Sequence, residues 1–108
     1  MPNQHRFCFR NSTDDLVNGL HVIFDGVHGT LAGGVIINTG PPGRVTGEGS
    51  QINVLLKAPL VPGMPLCFTV ESHSQPINVQ SALWSWNYNI VGHAEAMPDA
   101  LEVLRPGE

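Results

Sequence analysis

The sequence is poor in charged residues, and this scarcity argues against several kinds of partner. Only 13% of its 108 residues are charged, against roughly 25% in an average globular domain. Five residues are lysine or arginine, scattered between Arg6 and Arg105, and the net charge is −4 with histidine neutral. Nucleic-acid backbones and anionic membrane surfaces are bound by clustered cations. We therefore expect no nucleic-acid partner and no anionic membrane partner.

Long hydrophobic runs are also missing. No apolar stretch approaches the roughly 20 residues of a transmembrane helix, so we expect no membrane insertion. The first residues, MPNQHRFCFR, lack the apolar segment of a secretory signal peptide. A mature secreted domain with an added methionine has the same appearance, so the compartment stays open.

Local motifs of catalysis are missing as well. The sequence has no Gly-x-Ser-x-Gly nucleophile elbow and no His-Glu-x-x-His helix. The segment GEGS at 47–50 is not accompanied by the strand, helix and lysine of a phosphate loop. These absences favour a protein that is not an enzyme, although a site assembled from distant strands leaves no local motif.

The sequence is rich in turn-forming residues placed between short alternating segments. It contains 12 glycines and 9 prolines, and apolar and polar residues alternate in RFCFRN, GLHVIFD and LCFTVES. Alternation with a period of two, broken by turn signals at intervals of roughly 8 to 12 residues, is typical of a sandwich. We predict an all-β protein, a single antiparallel β-sandwich of about seven short strands over residues 4–92. A tail follows at 93–108, either a short helix or extended.

One corner between predicted strands resembles a known class of module. The segments NSTDDLVNGLHVIFDG and APLVPGMPLCFTVES are similar to immunoglobulin-like and fibronectin-type-III-like sandwiches of bacterial surface and secreted proteins, in which a polar strand pair precedes a corner L-x-P-G-x-x-x-x-F-x-V. The resemblance covers residues 4–91 and implies an immunoglobulin-like fold, which hosts many unrelated functions. The matching residues are Leu60, Pro62, Gly63, Phe68 and Val70.

Three aromatic residues alternate in ALWSWNYN, residues 82–89. Alternate residues of a strand lie on one face, roughly 6.6 Å apart, so Trp84, Trp86 and Tyr88 are expected to point the same way. At that spacing the rings could stack on successive sugar units or cover a protein partner. The favoured alternative is that they fill the core, because aromatic side chains bury large areas and only 6% of the chain is aromatic.

Histidines and cysteines provide the other candidate sites. His5, His21 and His73 lie on or beside predicted strands, where facing strands could assemble a metal site. The five histidines show no His-x-His or His-x-x-x-His spacing, so solvated or hydrogen-bonded histidines are favoured. Cys8 and Cys67 lie on the polar phase of their strands and can form a disulfide only if those strands are neighbours. Their strand phase slightly disfavours an essential disulfide in the core.

Asn11-Ser12-Thr13 has the pattern of an N-glycosylation sequon, which matters only in a eukaryotic secretory route. Such short patterns also occur by chance.

These observations leave three functional hypotheses. The first is a non-catalytic β-sandwich module that binds a protein or a glycan outside the cytoplasm, in a secreted or periplasmic setting. The second is a structural protein that forms a homo-oligomer through edge strands or through outward apolar residues such as Ile23, Leu55 and Val91. The third, with the least support, is a metal-binding protein or small enzyme that uses its histidines.

Overall fold

A computed structural model of the chain, which describes residues 3–25, 32–72 and 77–96, is built almost entirely of β-strands. One turn of 3-10 helix at Ala32–Gly34 precedes the third strand. Within the described residues, no helix has the length and hydropathy needed to cross a membrane. The eight strands are β1 (Asn3–Arg10), β2 (Val17–Asp25), β3 (Val35–Thr39), β4 (Gly43–Thr46), β5 (Gln51–Leu60), β6 (Pro65–Ser72), β7 (Asn78–Trp86) and β8 (Asn89–His93).

The strands form two antiparallel sheets that pack together. The smaller sheet has the order β1-β6-β3, and the larger has the order β4-β5-β2-β7-β8. Among the described strands, only β4–β5 and β7–β8 are hairpins between consecutive strands, and each of the other consecutive strand pairs is divided between the two sheets. In an immunoglobulin domain the first two strands share a sheet, whereas β1 and β2 lie in different sheets here.

Within the described residues the strand count is eight rather than about seven, because one edge strand is added, one expected strand is divided, and two expected strands are joined. The segment TGPPGRVTGEGS, residues 39–50, has adjacent prolines and four glycines and is expected from sequence to form a long turn region. In the structure, however, Gly43–Thr46 pairs with β5 as the edge strand β4. Adjacent prolines exclude a central strand but tolerate an edge strand beside them. From sequence, INVQ and ALWSWNYNIV are expected as two separate strands. A turn at Asn87 and Tyr88 divides ALWSWNYNIV, and its first part is continuous with the end of INVQ in β7.

The core between the sheets is formed by the apolar phase of each long strand, as the alternation predicts. Each fully buried large apolar side chain contributes about 1.5–3 kcal/mol relative to exposure. The ring centroids of Phe9 and Phe68 lie 5.8 Å apart in a stacked arrangement, which joins β1 to β6. The largest fully buried apolar side chains are Trp84, Phe9, Phe24, Phe68, Leu20, Ile52, Leu66, Val17, Val22, Val54 and Val70.

Cys8 and Cys67 lie directly opposite each other on β1 and β6 and form a disulfide bond. Their Cα atoms are 4.1 Å apart, close to the ~4.5 Å of a non-hydrogen-bonded antiparallel pair. Both residues occupy the phase opposite Phe9 and Phe68, and both are nevertheless buried. The condition for pairing, that the two strands are neighbours, is therefore met.

The sandwich continues past residue 92. His93 belongs to β8, Ala94 is buried and donates its N–H to the Ala82 carbonyl oxygen at 2.9 Å, and Ala96 forms a β-bridge with Phe9. Residues 97–108, most of the segment expected to be a short helix or an extended tail, lie outside the described residues.

Candidate functional site

The outer face of the five-stranded sheet carries two rows of side chains that run across its strands. These residues lie opposite one another in the strand register, so each row crosses from β4 to β8. The first row consists of Arg44, Leu55, Gly19, Ser85 and Ile90, and the second consists of Thr46, Asn53, His21, Leu83 and His93.

A groove of about 560 Å³ lies over these rows and is called the sheet groove below. Gly19 is part of its lining, on the floor formed by the sheet, and a Cβ atom at this position would collide with Oγ of Ser85. None of the side chains that line it carries a formal charge when histidine is neutral. The lining combines the polar residues His21, Thr46, Asn53, Ser85 and Tyr88 with the apolar residues Leu20, Val54, Leu55, Leu83 and Ile90.

His21 and Asn53 are hydrogen-bonded on the floor of the sheet groove, between β2 and β5. The bond joins Nδ1 of His21 to Oδ1 of Asn53. Because an amide oxygen only accepts, Nδ1 carries the hydrogen and donates it. A neutral His21 ring then has Nε2 as an acceptor, so this pair supplies a fixed acceptor of the kind that binds a ligand hydroxyl.

The three aromatic residues of ALWSWNYN do not share one face. Trp84 is 0% exposed and lies in the core, so it cannot contact a surface ligand. Trp86 pairs with Asn89 at the end of the hairpin and is half-buried. Tyr88 is 83% exposed and lines the sheet groove. A platform of three rings is therefore not formed, and Tyr88 is the one of the three that lies at the groove.

Tyr88 stands in a turn whose backbone normally favours glycine. Asn87 and Tyr88 form the two-residue loop of the β7–β8 hairpin, with φ angles of +48° and +71°. Positive φ at both positions is the type I′ arrangement, for which Asn-Gly is the preferred sequence. Asn87 fits this preference. Tyr88 stands where glycine is preferred, so the sequence does not signal the turn.

Asn18 of β2 holds this turn. Its Nδ2 donates to Oδ1 of Asn87 at 3.0 Å, and its Oδ1 accepts from the backbone N–H of Asn87 at 2.9 Å. The two residues are 69 positions apart, so no local sequence pattern signals the contact.

Of the three candidate metal-binding histidines, the two that the structure describes, His5 and His21, lie on different sheets. His5 lies on β1 opposite Val70, in the phase of the inner face of the three-stranded sheet. His21 lies on the outer face of the other sheet, and His73 lies outside the described residues. In the described part of the chain, no three or more His, Cys, Asp or Glu side chains form a group that could hold a metal ion.

The sequon residue Asn11 is fully buried and hydrogen-bonded. Its Nδ2 donates to the carbonyl oxygens of Asp15 and Leu60, at 2.8 and 2.9 Å. Its Oδ1 accepts from the backbone N–H and the hydroxyl of Thr13, at 3.0 and 2.6 Å. An attached glycan is incompatible with this position, so Asn11 has a structural role in the folded protein.

Comparison with known proteins adds no functional assignment: no family model matches the chain, and no curated protein or solved structure is similar to it.

Proposed function

We propose that the protein is a non-catalytic β-sandwich module that binds a neutral glycan in the sheet groove. The observation that carries this proposal is the lining of the groove, in which uncharged hydrogen-bonding side chains surround apolar ones beside an exposed aromatic ring. Sugar rings present hydroxyl groups at their edges and C–H groups on their faces. Neutral donors and acceptors such as His21, Asn53 and Ser85 pair with the hydroxyls, and Tyr88 and Ile90 provide the apolar surface for the ring faces.

The absence of charge in the lining favours a neutral ligand over an acidic one. A carboxylate or sulfate that leaves water needs a cationic or strongly donating partner. Arg44 lies in the first row at the β4 edge but is not part of the lining. A charged sugar would therefore lose hydration in the groove without gaining an ion pair.

The dimensions of the site favour a chain of several sugar units. The rows cross five strands, and neighbouring strands are separated by about 4.8 Å, so β4 and β8 lie about 19 Å apart. The groove volume of about 560 Å³ falls within the range of roughly 300–1,000 Å³ that is common for small-ligand sites. A short oligosaccharide fits this description better than one sugar.

We further propose that the module acts outside the cytoplasm, in a secreted or periplasmic setting. The support is the Cys8–Cys67 disulfide, because such bonds persist in oxidising compartments. The resemblance of residues 4–91 to immunoglobulin-like modules supports only the architecture in this proposal, which is a two-sheet scaffold that displays a binding surface.

Native electrophoresis in gels that contain a polysaccharide tests the proposal. The probes are three neutral polymers (β-glucan, xylan and galactomannan), with polygalacturonate as the acidic contrast. We expect at least one neutral polymer to retard the protein and polygalacturonate to leave its mobility unchanged. A protein retarded by none of the neutral polymers would contradict the proposal.

A matched pair of variants localises the binding. Ile90→Ala removes an apolar side chain that is 69% exposed at the groove, and Ile36→Ala removes one that is 59% exposed on the three-stranded sheet. We expect Ile90→Ala to weaken retardation and Ile36→Ala to leave it unchanged. Equal loss in both variants would place the binding surface elsewhere.

A second candidate function is self-association, which two uncharged edge strands favour. β3 and β8 are edges of the two sheets and contain no Asp, Glu, Lys or Arg, although exposed edges are usually protected by charge or proline. Of the residues considered from sequence, Ile23 and Leu55 are half-buried on the outer face, and Val91 packs against the core. Light scattering during size-exclusion chromatography at several concentrations tests this candidate, and a constant monomer mass would exclude it.

A further inference from the structure

Tyr88 is held in a backbone conformation that residues with a side chain rarely adopt. Its φ angle is +71°, in the left-handed region where glycine is favoured. A tyrosine persists there only if the surrounding structure determines the conformation. In this turn the restraining contacts are made to Asn87, the residue before Tyr88.

Those contacts come from one side chain on the neighbouring strand. In a type I′ turn the N–H of the first loop residue has no partner within the turn, and here the N–H of Asn87 donates to Oδ1 of Asn18. The second bond, from Nδ2 of Asn18 to Oδ1 of Asn87, fixes the side chain of the same loop residue. The carboxamide of Asn18 therefore restrains both the backbone and the side chain of the residue that precedes Tyr88.

The same stretch of β2 forms part of the floor of the site. Asn18 is followed by Gly19, which lines the sheet groove opposite Ser85 and Leu55 and has no Cβ to collide with the hydroxyl of Ser85. Asn18 itself is not part of the groove lining. Gly19 thus lines the groove, and the adjacent Asn18 holds the turn that carries the Tyr88 ring. Because Asn18 and Gly19 are adjacent, the backbone fixes the position of this turn relative to the groove.

We infer that Asn18 is a positioning residue that holds Tyr88 as a preorganised aromatic subsite for the apolar face of a sugar ring. This inference rests on the proposed glycan-binding function and identifies Tyr88 as a residue that recognises the sugar. A ring whose backbone is already fixed loses less conformational freedom when a ligand stacks on it than a ring on a mobile turn. Without Asn18, the turn can relax to other conformations and the ring leaves its place at the groove.

A double-mutant cycle tests the coupling between the two residues, with whichever neutral polysaccharide retards the unmodified protein as the probe. We expect Tyr88→Ala to weaken binding about tenfold, and Asn18→Ala to weaken it by a similar factor. The double variant is expected to be no weaker than Tyr88→Ala alone, because Asn18 acts only through the ring. Losses that multiply to about a hundredfold in the double variant would overturn the inference.

A matched control separates positioning from a general effect of losing an asparagine. Asn38 also lies on a sheet surface, where its Oδ1 accepts a 2.7 Å hydrogen bond from Thr69 on the three-stranded sheet. Asn38→Ala is expected to leave binding unchanged. Asn18→Asp keeps the oxygen that accepts from Asn87 but loses the Nδ2 donor, so we expect a smaller loss than in Asn18→Ala.

A measurement without ligand keeps the positioning role testable if no glycan binds. Tyr88 is the only tyrosine of the chain, so 3-fluorotyrosine labelling places one ¹⁹F reporter on its ring. We expect Asn18→Ala to shift and narrow this resonance as the ring becomes mobile, with far-UV circular dichroism unchanged. Asn38→Ala is expected to leave it unaltered. A folded Asn18→Ala variant with an unchanged ¹⁹F signal would overturn the positioning role, whereas a changed signal without glycan binding would count against the proposed function alone.

Discussion

The side-chain nitrogen of Asn11 donates a 2.9 Å hydrogen bond to the carbonyl oxygen of Leu60, 49 residues away and in a buried position. The same residue uses both of its backbone polar groups: its N–H donates to Met64 and its carbonyl oxygen accepts from Gly63. Asn11 thus connects the end of β1 to the turn between β5 and β6. This turn contains the Pro-Gly corner that is prominent in the sequence.

Replacement of Asn11 by alanine is expected to destabilise the fold. The change removes donors to two backbone carbonyls and an acceptor for Thr13, and buried groups that lose their partners destabilise by roughly 1–3 kcal/mol each. We expect a loss of about 3 kcal/mol in the free energy of unfolding, measured by urea denaturation. Asn38→Ala, at an exposed position, should change stability by less than about 0.5 kcal/mol. A similar small effect of Asn11→Ala would show that its hydrogen bonds contribute little.

Removal of the disulfide is expected to lower stability substantially. Cys8 and Cys67 are 59 positions apart, and a loop of that length gives about 4 kcal/mol in the chain-entropy model, against about 2–5 kcal/mol for native disulfides of small secreted domains. Denaturation of Cys8→Ala/Cys67→Ala checks this value. Dithiothreitol should destabilise the unmodified protein and leave the double variant unaffected. An unchanged midpoint after verified reduction would contradict the prediction.

The two tryptophans should differ in their fluorescence. Trp84 is fully buried and Trp86 is half-buried at the end of a hairpin, so emission from Trp84 is expected to be blue-shifted and protected from acrylamide. Trp86→Phe isolates Trp84, and Trp84→Phe isolates Trp86. Strong quenching in the Trp86→Phe variant would mean that Trp84 is exposed in solution.

Binding in the sheet groove should be nearly independent of salt. Salt weakens contacts between charged groups, because the Debye length falls from about 10 Å to about 3 Å between 0.1 and 1 M salt. The groove lining contains no Asp, Glu, Lys or Arg, so it offers no such contact for salt to weaken. Retardation by a neutral polysaccharide is therefore expected to change less than about twofold over this range. A steep decline with salt would indicate an ionic ligand contact outside the groove lining.

A methyl group at Gly19 is expected to weaken binding more than it weakens the fold. Its Cβ would meet the hydroxyl of Ser85, which can rotate away, so Gly19→Ala should retain stability to within about 1 kcal/mol while it raises the groove floor. Gly43→Ala provides the contrast, because its Cβ would lie 2.6 Å from the backbone oxygen of Leu55, and it should destabilise the fold. Thermal unfolding and gel retardation of both variants separate the effects. Full retention of binding by Gly19→Ala would show that the floor does not contact ligand.

The sequence predicted the parts of the fold that depend on local alternation. Leu20, Val22 and Phe24 are buried as their phase predicts, because each lies two positions from the next on a strand with one apolar face. The same rule mispredicted Tyr88, since alternation says nothing about positive φ, and a tyrosine does not signal the turn that glycine would have signalled.

The candidate site depends on pairing between distant strands, which a single sequence does not specify. His21 meets Asn53, Asn18 meets Asn87 and Cys8 meets Cys67 only because of the strand order. Each partner lies more than thirty positions away, and the order of strands in a sandwich follows from the global packing of both sheets. Residue types and faces are therefore predictable from this sequence, whereas the partners that define the site are not.

The repeated passage of the chain between the two sheets has a kinetic consequence. In the described part of the chain only two hairpins join consecutive strands, so most of its strand pairings require the closure of long loops before any stabilising contact forms. Domains dominated by such non-local pairings fold on the order of milliseconds to seconds, far more slowly than helical bundles of equal length. Stopped-flow tryptophan fluorescence measures this rate directly. Each sheet contains strands that come after strands of the other sheet in the chain. The two sheets are therefore expected to form in one cooperative step rather than in succession.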